Sequence, residues 1–410
     1  MKVGIEALNI YAGTACLDVR TLFQARGLSL DRFDNLMMEK KSVALPCEDA
    51  VTNAVNAAKP IVEQMSDEER NSIDLVITAT ESGLDFGKSL STYVHDYLKL
   101  SRNCRLFEVK QACYGGTAAL HMAAGHIASH TSPTAKALVI ATDTARTSMK
   151  MDYFEPTQAT GAVALLVSGK PEILELDRGA NGYYSYEVMD ACRPDLEIET
   201  GDSDLTLLSY LDCLENSFLA YTDKVDGADF KDTFDYLVFH TPFAGMVKGA
   251  HRKLMRQFKK ATPDQIEVDF QNRVMPSVRY SMQVGNVYSA SAYLALTSLI
   301  DHADHDGFKR VGIFSYGSGC SSEFFSGVLD PAARRRVKKM DVGNKLRGRY
   351  GLEMQEYDML MNLNKEWLFG TKDKATDVGR YSKIYERSMD GRGLLVVDKV
   401  ENFHRQYRWS

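Results

Sequence analysis

Leu106-Phe-Glu-Val-Lys-Gln-Ala-Cys113-Tyr-Gly-Gly-Thr-Ala-Ala-Leu120 runs an apolar strand straight into a cysteine that opens a Gly/Ala-rich helix. Strand followed directly by helix is the repeating unit of α/β folds, which place their sites at the carboxyl ends of the strands. A thiol at that junction meets the unpaired N–H groups and positive dipole end of the helix, and both favour the thiolate. Gly115 and Gly116 let a carbonyl group approach the backbone donors. This is the geometry of an acyl-accepting cysteine. A buried structural cysteine is the alternative for any one of the seven taken alone.

Working outward, Ile73-Asp-Leu-Val-Ile-Thr-Ala-Thr80, Ala137-Leu-Val-Ile-Ala141 and Gly161-Ala-Val-Ala-Leu-Leu-Val-Ser168 are apolar runs suited to a sheet buried on both faces. Phe234-Asp-Tyr-Leu-Val-Phe-His240 and Arg310-Val-Gly-Ile-Phe-Ser315 repeat the pattern. The halves correspond: Leu75 to Glu81 with Tyr236 to Thr241, the Cys113 junction with the Asn286 junction, and Leu138 to Asp143 with Val311 to Tyr316. This degenerate duplication predicts halves of residues 1–168 and 169–410, with residues from about 170 to 232 read as an acidic, Tyr-rich insertion lacking a catalytic motif. Three residues accompany Cys113 at the ends of predicted strands: Glu81 in Ala79-Thr-Glu81-Ser-Gly, His240 in Phe239-His240-Thr-Pro-Phe, and Asn286 in Val284-Gly-Asn286-Val-Tyr-Ser-Ala-Ser291. Taken singly, Glu81 reads as solvated, His240 as a core histidine and Asn286 as a helix cap.

In this order the four segments resemble the 3-hydroxy-3-methylglutaryl (HMG) synthases, condensing enzymes of the thiolase superfamily. Ala141-Thr-Asp143-Thr-Ala-Arg146, Glu155-Pro-Thr157-Gln and Phe314-Ser-Tyr316-Gly317-Ser318-Gly319 extend the match from residue 1 to about residue 325. The resemblance implies the thiolase fold, an α/β fold whose duplicated halves pack as a five-layered αβαβα core around one site, and a homodimer. It implies Glu81, Cys113, His240 and Asn286 as the catalytic group, with Tyr114, Thr157, Tyr316, Gly317 and Ser318 as substrate and oxyanion contacts. In the expected chemistry Cys113 takes acetyl from a thioester, and Glu81, its pKa raised in a partly dry pocket, removes a methyl proton. The enolate adds to the β-ketone of a second thioester held by His240 and Asn286, and water then frees a carboxylate. Backbone donors at Cys113 and in the Gly-Ser-Gly turn supply the oxyanion hole. No cofactor is held permanently; the acyl groups travel on the phosphopantetheine of an acyl carrier protein or on coenzyme A.

Two features choose between those carriers. HMG synthases that use free coenzyme A carry a lysine five residues after the catalytic histidine, where this chain has Gly245. The Gly-Gly after Cys113-Tyr114 and the ending Asn402-Phe-His-Arg-Gln-Tyr-Arg-Trp-Ser410 resemble the polyketide β-branching subfamily, which moves acetyl from a donor carrier protein to a β-ketoacyl chain on an acceptor carrier protein. Primary-metabolism HMG-CoA synthase is the alternative, and a non-catalytic carrier-protein scaffold is disfavoured by the four intact residues. Thr241-Pro242 predicts a helix starting just after His240. Its Lys248, Arg252, Lys253, Arg256, Lys259 and Lys260 carry six positive charges with no acid among them, in a chain of net charge −6. The first four are candidate docking residues for an acidic carrier; a solvated face is the other reading. A second run, Arg334 to Arg349, sets eight basic residues against Asp341, and no nucleic-acid recognition motif accompanies either run.

The remainder of the chain narrows the class. With 410 residues, 44% of them hydrophobic, it can bury a sizeable core, and no apolar run approaches the ~20 residues of a membrane span. The start lacks a signal-peptide apolar region, so the cytoplasm is the expected location. Seven cysteines without a CxxC pair argue against a disulfide framework or a zinc site. Gly83-Leu-Asp-Phe-Gly87-Lys88-Ser89 is one residue short of a phosphate loop, His302-Ala-Asp-His305 reads as a solvated helix end, and His126 as a packed or solvated helix residue, so no metal site is expected.

Overall fold

Apolar runs with no polar face become central strands, because a strand covered on both sides has no solvated side to mark. In the computed structural model, β1 (Gly4–Tyr11), β2 (Ile73–Ala79), β3 (Arg105–Val109), β4 (Lys136–Thr144) and β5 (Thr160–Ser168) lie in the order β3-β2-β4-β5-β1, and all of β4 and β5 is buried. A second set follows. It contains β6 (Leu174–Ser185), a two-stranded hairpin of β7 (Ala191–Asp195) and β8 (Ile198–Gly201), then β9 (Tyr236–Phe239), β10 (Lys309–Gly317) and β11 (Ser321–Leu329). The order β6-β11-β10-β9 joins the first set through only two pairs, Gly4 with Glu175 and Ile5 with Leu174. Directions repeat as the duplication requires: β2 is parallel to β4 and β9 to β10, while β5 and β11 run antiparallel to both of their neighbours. The description covers residues 2–145, 154–195, 198–304, 306–367 and 369–410; Arg146 and His305 of the motifs above lie outside it.

Helices complete the layers. They are α1 (Ala50–Val62), α2 (Gly115–Ser129), α3 (Ser203–Thr222), α4 (Ala244–Lys259), α5 (Met275–Val284) and α6 (Ser291–His302). α1 covers the outer face of the first sheet and α3 that of the second. α2 and α6 fill the space between: the Thr117 hydroxyl of α2 donates to Ser315 on β10 at 2.8 Å and shares a 2.8 Å hydrogen bond with Tyr293 of α6. The result is the αβαβα sandwich of the thiolase fold.

Two sequence expectations give way here. Residues 170–232 are not an insertion: β6 is the strand that joins the sheets, and α3 buries Tyr210, Cys213, Leu214, Ser217, Phe218 and Tyr221 at helical spacing. Its tyrosines are packing surface rather than solvated decoration. Asn286 does not follow a strand either, because Pro276 in the first turn and buried Ser277, Val278, Tyr280, Ser281 and Val284 make the preceding segment helix α5. Among the described residues no strand takes the place of β3 in the second half, so its sheet, the hairpin apart, has four strands to the first half's five.

Candidate active site

The turn after β2, the loop from β3 into α2, the end of β9 and the loop after α5 open on one cavity of about 780 Å³, lined by Glu81, Cys113, Thr157, His240, Asn286, Tyr316 and Ser318. Tyr114 and Gly317 stand behind it. The Tyr114 hydroxyl donates to Glu323 at 2.8 Å. Gly317 lies under the cysteine loop, where a Cβ would stand 2.6 Å from both the Gln111 carbonyl oxygen and the Tyr114 nitrogen, so a side chain there would displace that loop.

Ala112 takes a left-handed φ of 43°, which turns Cys113 onto the uncapped start of α2. Its thiol donates to Glu81 Oε1 at 3.5 Å. The helix terminus favours the thiolate by up to ~2 kcal/mol. Burial, followed by the charges of Glu81 and Asp143, pushes the thiol well above its ordinary range, and burial wins. The resting residue is a thiol, not the thiolate suggested by helix position alone. Loss of water likewise pushes the Glu81 carboxyl up to about 8, with Arg193 opposing the rise and Asp143 and Glu199 adding to it.

Asp143, wholly buried on β4, ties the parts together. One carboxylate oxygen accepts from the Glu81 N–H at 2.8 Å and from the Thr80 and Ser82 hydroxyls, each at 3.0 Å. The other accepts from the Ser289 N–H at 3.2 Å and its hydroxyl at 2.6 Å, which locks the Glu81 turn to the Asn286 loop. Asn286 uses its side-chain oxygen to accept from the Tyr288 N–H at 2.9 Å and the Ser291 hydroxyl at 2.8 Å, leaving its NH₂ as the group to face a ligand. The Asn286 N–H donates to the Thr157 carbonyl at 2.7 Å. His240 is 2% exposed and its Nδ1 has no partner among the described residues; burial pushes it down to about 3, so the imidazole is neutral at physiological pH.

Sequence reading missed two supports. Asp190 accepts from the Tyr316 hydroxyl at 2.5 Å and the Gly319 N–H at 2.9 Å, so that N–H is spent on holding the turn and is not an oxyanion donor. Arg193 and Glu199, from the hairpin inside the supposed insertion, also line the cavity. Both sit in a segment without periodicity or motif.

The helix after His240 starts later than Thr241-Pro242 suggested. The Thr241 hydroxyl donates back to the Phe239 carbonyl at 2.8 Å, and α4 begins at Ala244 behind an extended Phe243 that lines the cavity. A Cβ on Gly245 would stand 1.7 Å from the Asn35 carbonyl oxygen, so no lysine fits there without moving the main chain. Along α4, Lys248 pairs with Glu267 at 2.9 Å and Lys253 with Glu215 at 2.5 Å, whereas Arg252 and Arg256 are exposed without an ion pair among the described residues. None of the Arg334–Arg349 run lines the cavity.

Elsewhere, Asp74 lies 3.0 Å from His126 Nε2 and 2.7 Å from His130 Nε2, the one metal-like trio among the described residues. The Ser132 N–H donates to His130 Nδ1 at 3.0 Å, which leaves Nε2 as the protonated nitrogen facing Asp74. The trio is a hydrogen-bonded clasp. Among the described residues no helix is long and apolar enough to cross a membrane.

A thiol at a strand-to-helix turn, set between the halves of a duplicated sandwich beside a carboxyl and an imidazole, defines a condensing enzyme of the thiolase kind. The chain belongs to the HMG synthase family: the model for the hydroxymethylglutaryl-coenzyme A synthase N terminal region matches residues 1–172, and that for the C terminal region matches 174–269 and 255–382. It is 50% identical to the polyketide biosynthesis 3-hydroxy-3-methylglutaryl-ACP synthase PksG of Bacillus subtilis, over 100% of this chain and 99% of the relative. It superposes on the curacin biosynthetic pathway HMG synthase in complex with acetyl donor-ACP with a TM-score of 0.98, at 52% identity and full coverage of both chains. Identity to the hydroxymethylglutaryl-CoA synthase of Enterococcus faecalis is 33%, over 88% of this chain and 91% of the relative.

Proposed function

We propose that this acyltransferase performs the HMG-synthase step of polyketide β-branching. Cys113 attacks the acetyl thioester on a donor acyl carrier protein, and the proton it gives up goes to the departing phosphopantetheine sulfur, which leaves as the thiol. Glu81 as carboxylate then removes a methyl proton from acetyl-Cys113. The enolate attacks the β-ketone of a chain on an acceptor carrier protein; its oxygen, held by neutral His240 and the Asn286 NH₂, takes up the proton that Glu81 carried off and becomes the tertiary alcohol, which returns Glu81 to the carboxylate. Water hydrolyses the cysteine thioester, giving a free carboxylate on the acceptor-bound product and restoring the thiol.

Gly245 carries the choice of carrier. The lysine associated with free coenzyme A has no room beside Asn35; Arg32 lines the cavity, and α4 presents Arg252 and Arg256 to solvent. The two relatives of about half identity, named for ACP-dependent synthesis and for a donor-ACP complex, support the same reading. The enzyme works in the cytoplasm as a homodimer; β3, the end strand of the first sheet, offers an edge for a second copy. The experiment is a reconstitution with acetyl on a donor carrier and a β-ketoacyl chain on an acceptor carrier, read by mass spectrometry of the acceptor. The expected product is the acceptor bearing a 3-hydroxy-3-methylglutaryl-type chain. Faster turnover of acetyl-CoA with acetoacetyl-CoA than of the carrier-bound pair would identify the primary-metabolism enzyme instead.

A further inference from the structure

Arg193 and Glu199 face Glu81 and have no part in the steps above. Arg193 Nη1 donates to the Glu81 carbonyl oxygen at 3.4 Å and to the Ser82 hydroxyl at 3.2 Å; Nη2 donates to Glu199 at 2.7 Å and to the Tyr288 hydroxyl at 3.2 Å. The Tyr288 hydroxyl in turn donates to the same Glu199 oxygen at 3.2 Å, and the guanidinium stands 5.0 Å from the Tyr288 ring centroid. The Arg193 side chain is 10% exposed, and its Nε is buried without a partner among the described residues. An ion pair in water is screened to little effect, but one held in a dry wall acts on its neighbours at much greater strength.

The groups around Glu81 are Cys113 at the start of α2, Asp143 on β4, Tyr288 before α6, His240 after β9, and Arg193 with Glu199 on the hairpin. Acetyl caps the cysteine in the condensing form, His240 is neutral, and Asp143 is engaged by five donors. Opposite charges on one hairpin remain. We infer that Arg193 and Glu199 are positioning residues acting through Glu81. The cation holds the Glu81 turn and draws its carboxyl toward the charged form; Glu199 anchors the cation and limits that pull, so that Glu81 stays basic enough to take a proton from a weakly acidic methyl group. This rests on the reading of Glu81 as the base.

The test is single-turnover condensation from preformed acetyl-enzyme across pH, where the rate rises as Glu81 loses its proton. Glu199→Gln should move the midpoint to lower pH and Arg193→Gln to higher pH, each by about one unit. Arg193→Lys should keep the wild-type midpoint at a reduced plateau. Acetylation of Cys113, followed separately by mass, reports that each variant is folded. Midpoints that shift the same way, rate loss without any shift, or loss of acetylation in all three variants would make the hairpin merely structural and overturn the inference. A flat wild-type profile together with normal condensation by Glu81→Gln would overturn the reading of Glu81 beneath it, a pattern distinct from the others.

Discussion

Burial leaves Cys113 a thiol and His240 a neutral imidazole, and keeps a proton on much of Glu81 near neutral pH, since that carboxyl is pushed up to about 8. A raised carboxyl works as a base only after it loses its proton, so condensation should speed up as pH rises through that region, provided Glu81 fills the role proposed for it. Glu81→Gln removes the base and one negative neighbour of the thiol. Acetylation of Cys113 should persist in this variant while condensation falls ~10²–10⁴-fold. Separate rates for acyl-enzyme and product decide it; equal loss of both would assign Glu81 to the fold or to the thiol. The sequence made Glu81, Cys113, His240 and Asn286 visible because each sits in a short motif at an element end. Asp190 and Arg193 were invisible: Asp190 meets Tyr316 across 126 residues and Arg193 meets Glu81 across 112, and nothing local marks either.

Among elements, strands were the easiest to read. Chains buried on both faces, such as β4 and β5, announce themselves by unbroken apolar runs. α5 is masked by the duplication, which predicts a strand before Asn286, whereas the helical spacing of buried residues and Pro276 make that segment a helix. α4 was found, but only the structure separates its paired lysines from exposed Arg252 and Arg256. Charge reversal of Arg252 and Arg256 should slow acetylation from the carrier protein severalfold at low salt, fade at high salt, and leave slow acetylation by acetyl-CoA unchanged. Stopped-flow or quenched acetylation at two ionic strengths measures this. Equal slowing with both donors would place the arginines outside carrier docking.

At the scale of the whole molecule, the duplicated halves meet through two strand pairs, the two central helices and Asp143, and the cavity forms where they meet. The first half brings the thiol and carboxyl, the second the imidazole and amide. The joining role of β6 was hidden inside a segment read as an insertion. Every step of the proposed reaction passes through acetyl-Cys113. The direct measurement is peptide mass spectrometry after incubation with an acetylated donor carrier protein: acetyl should be found on Cys113 and on none of the other six cysteines. Labelling that persists unchanged in Cys113→Ala would contradict the mechanism and leave a carrier-protein scaffold as the better reading.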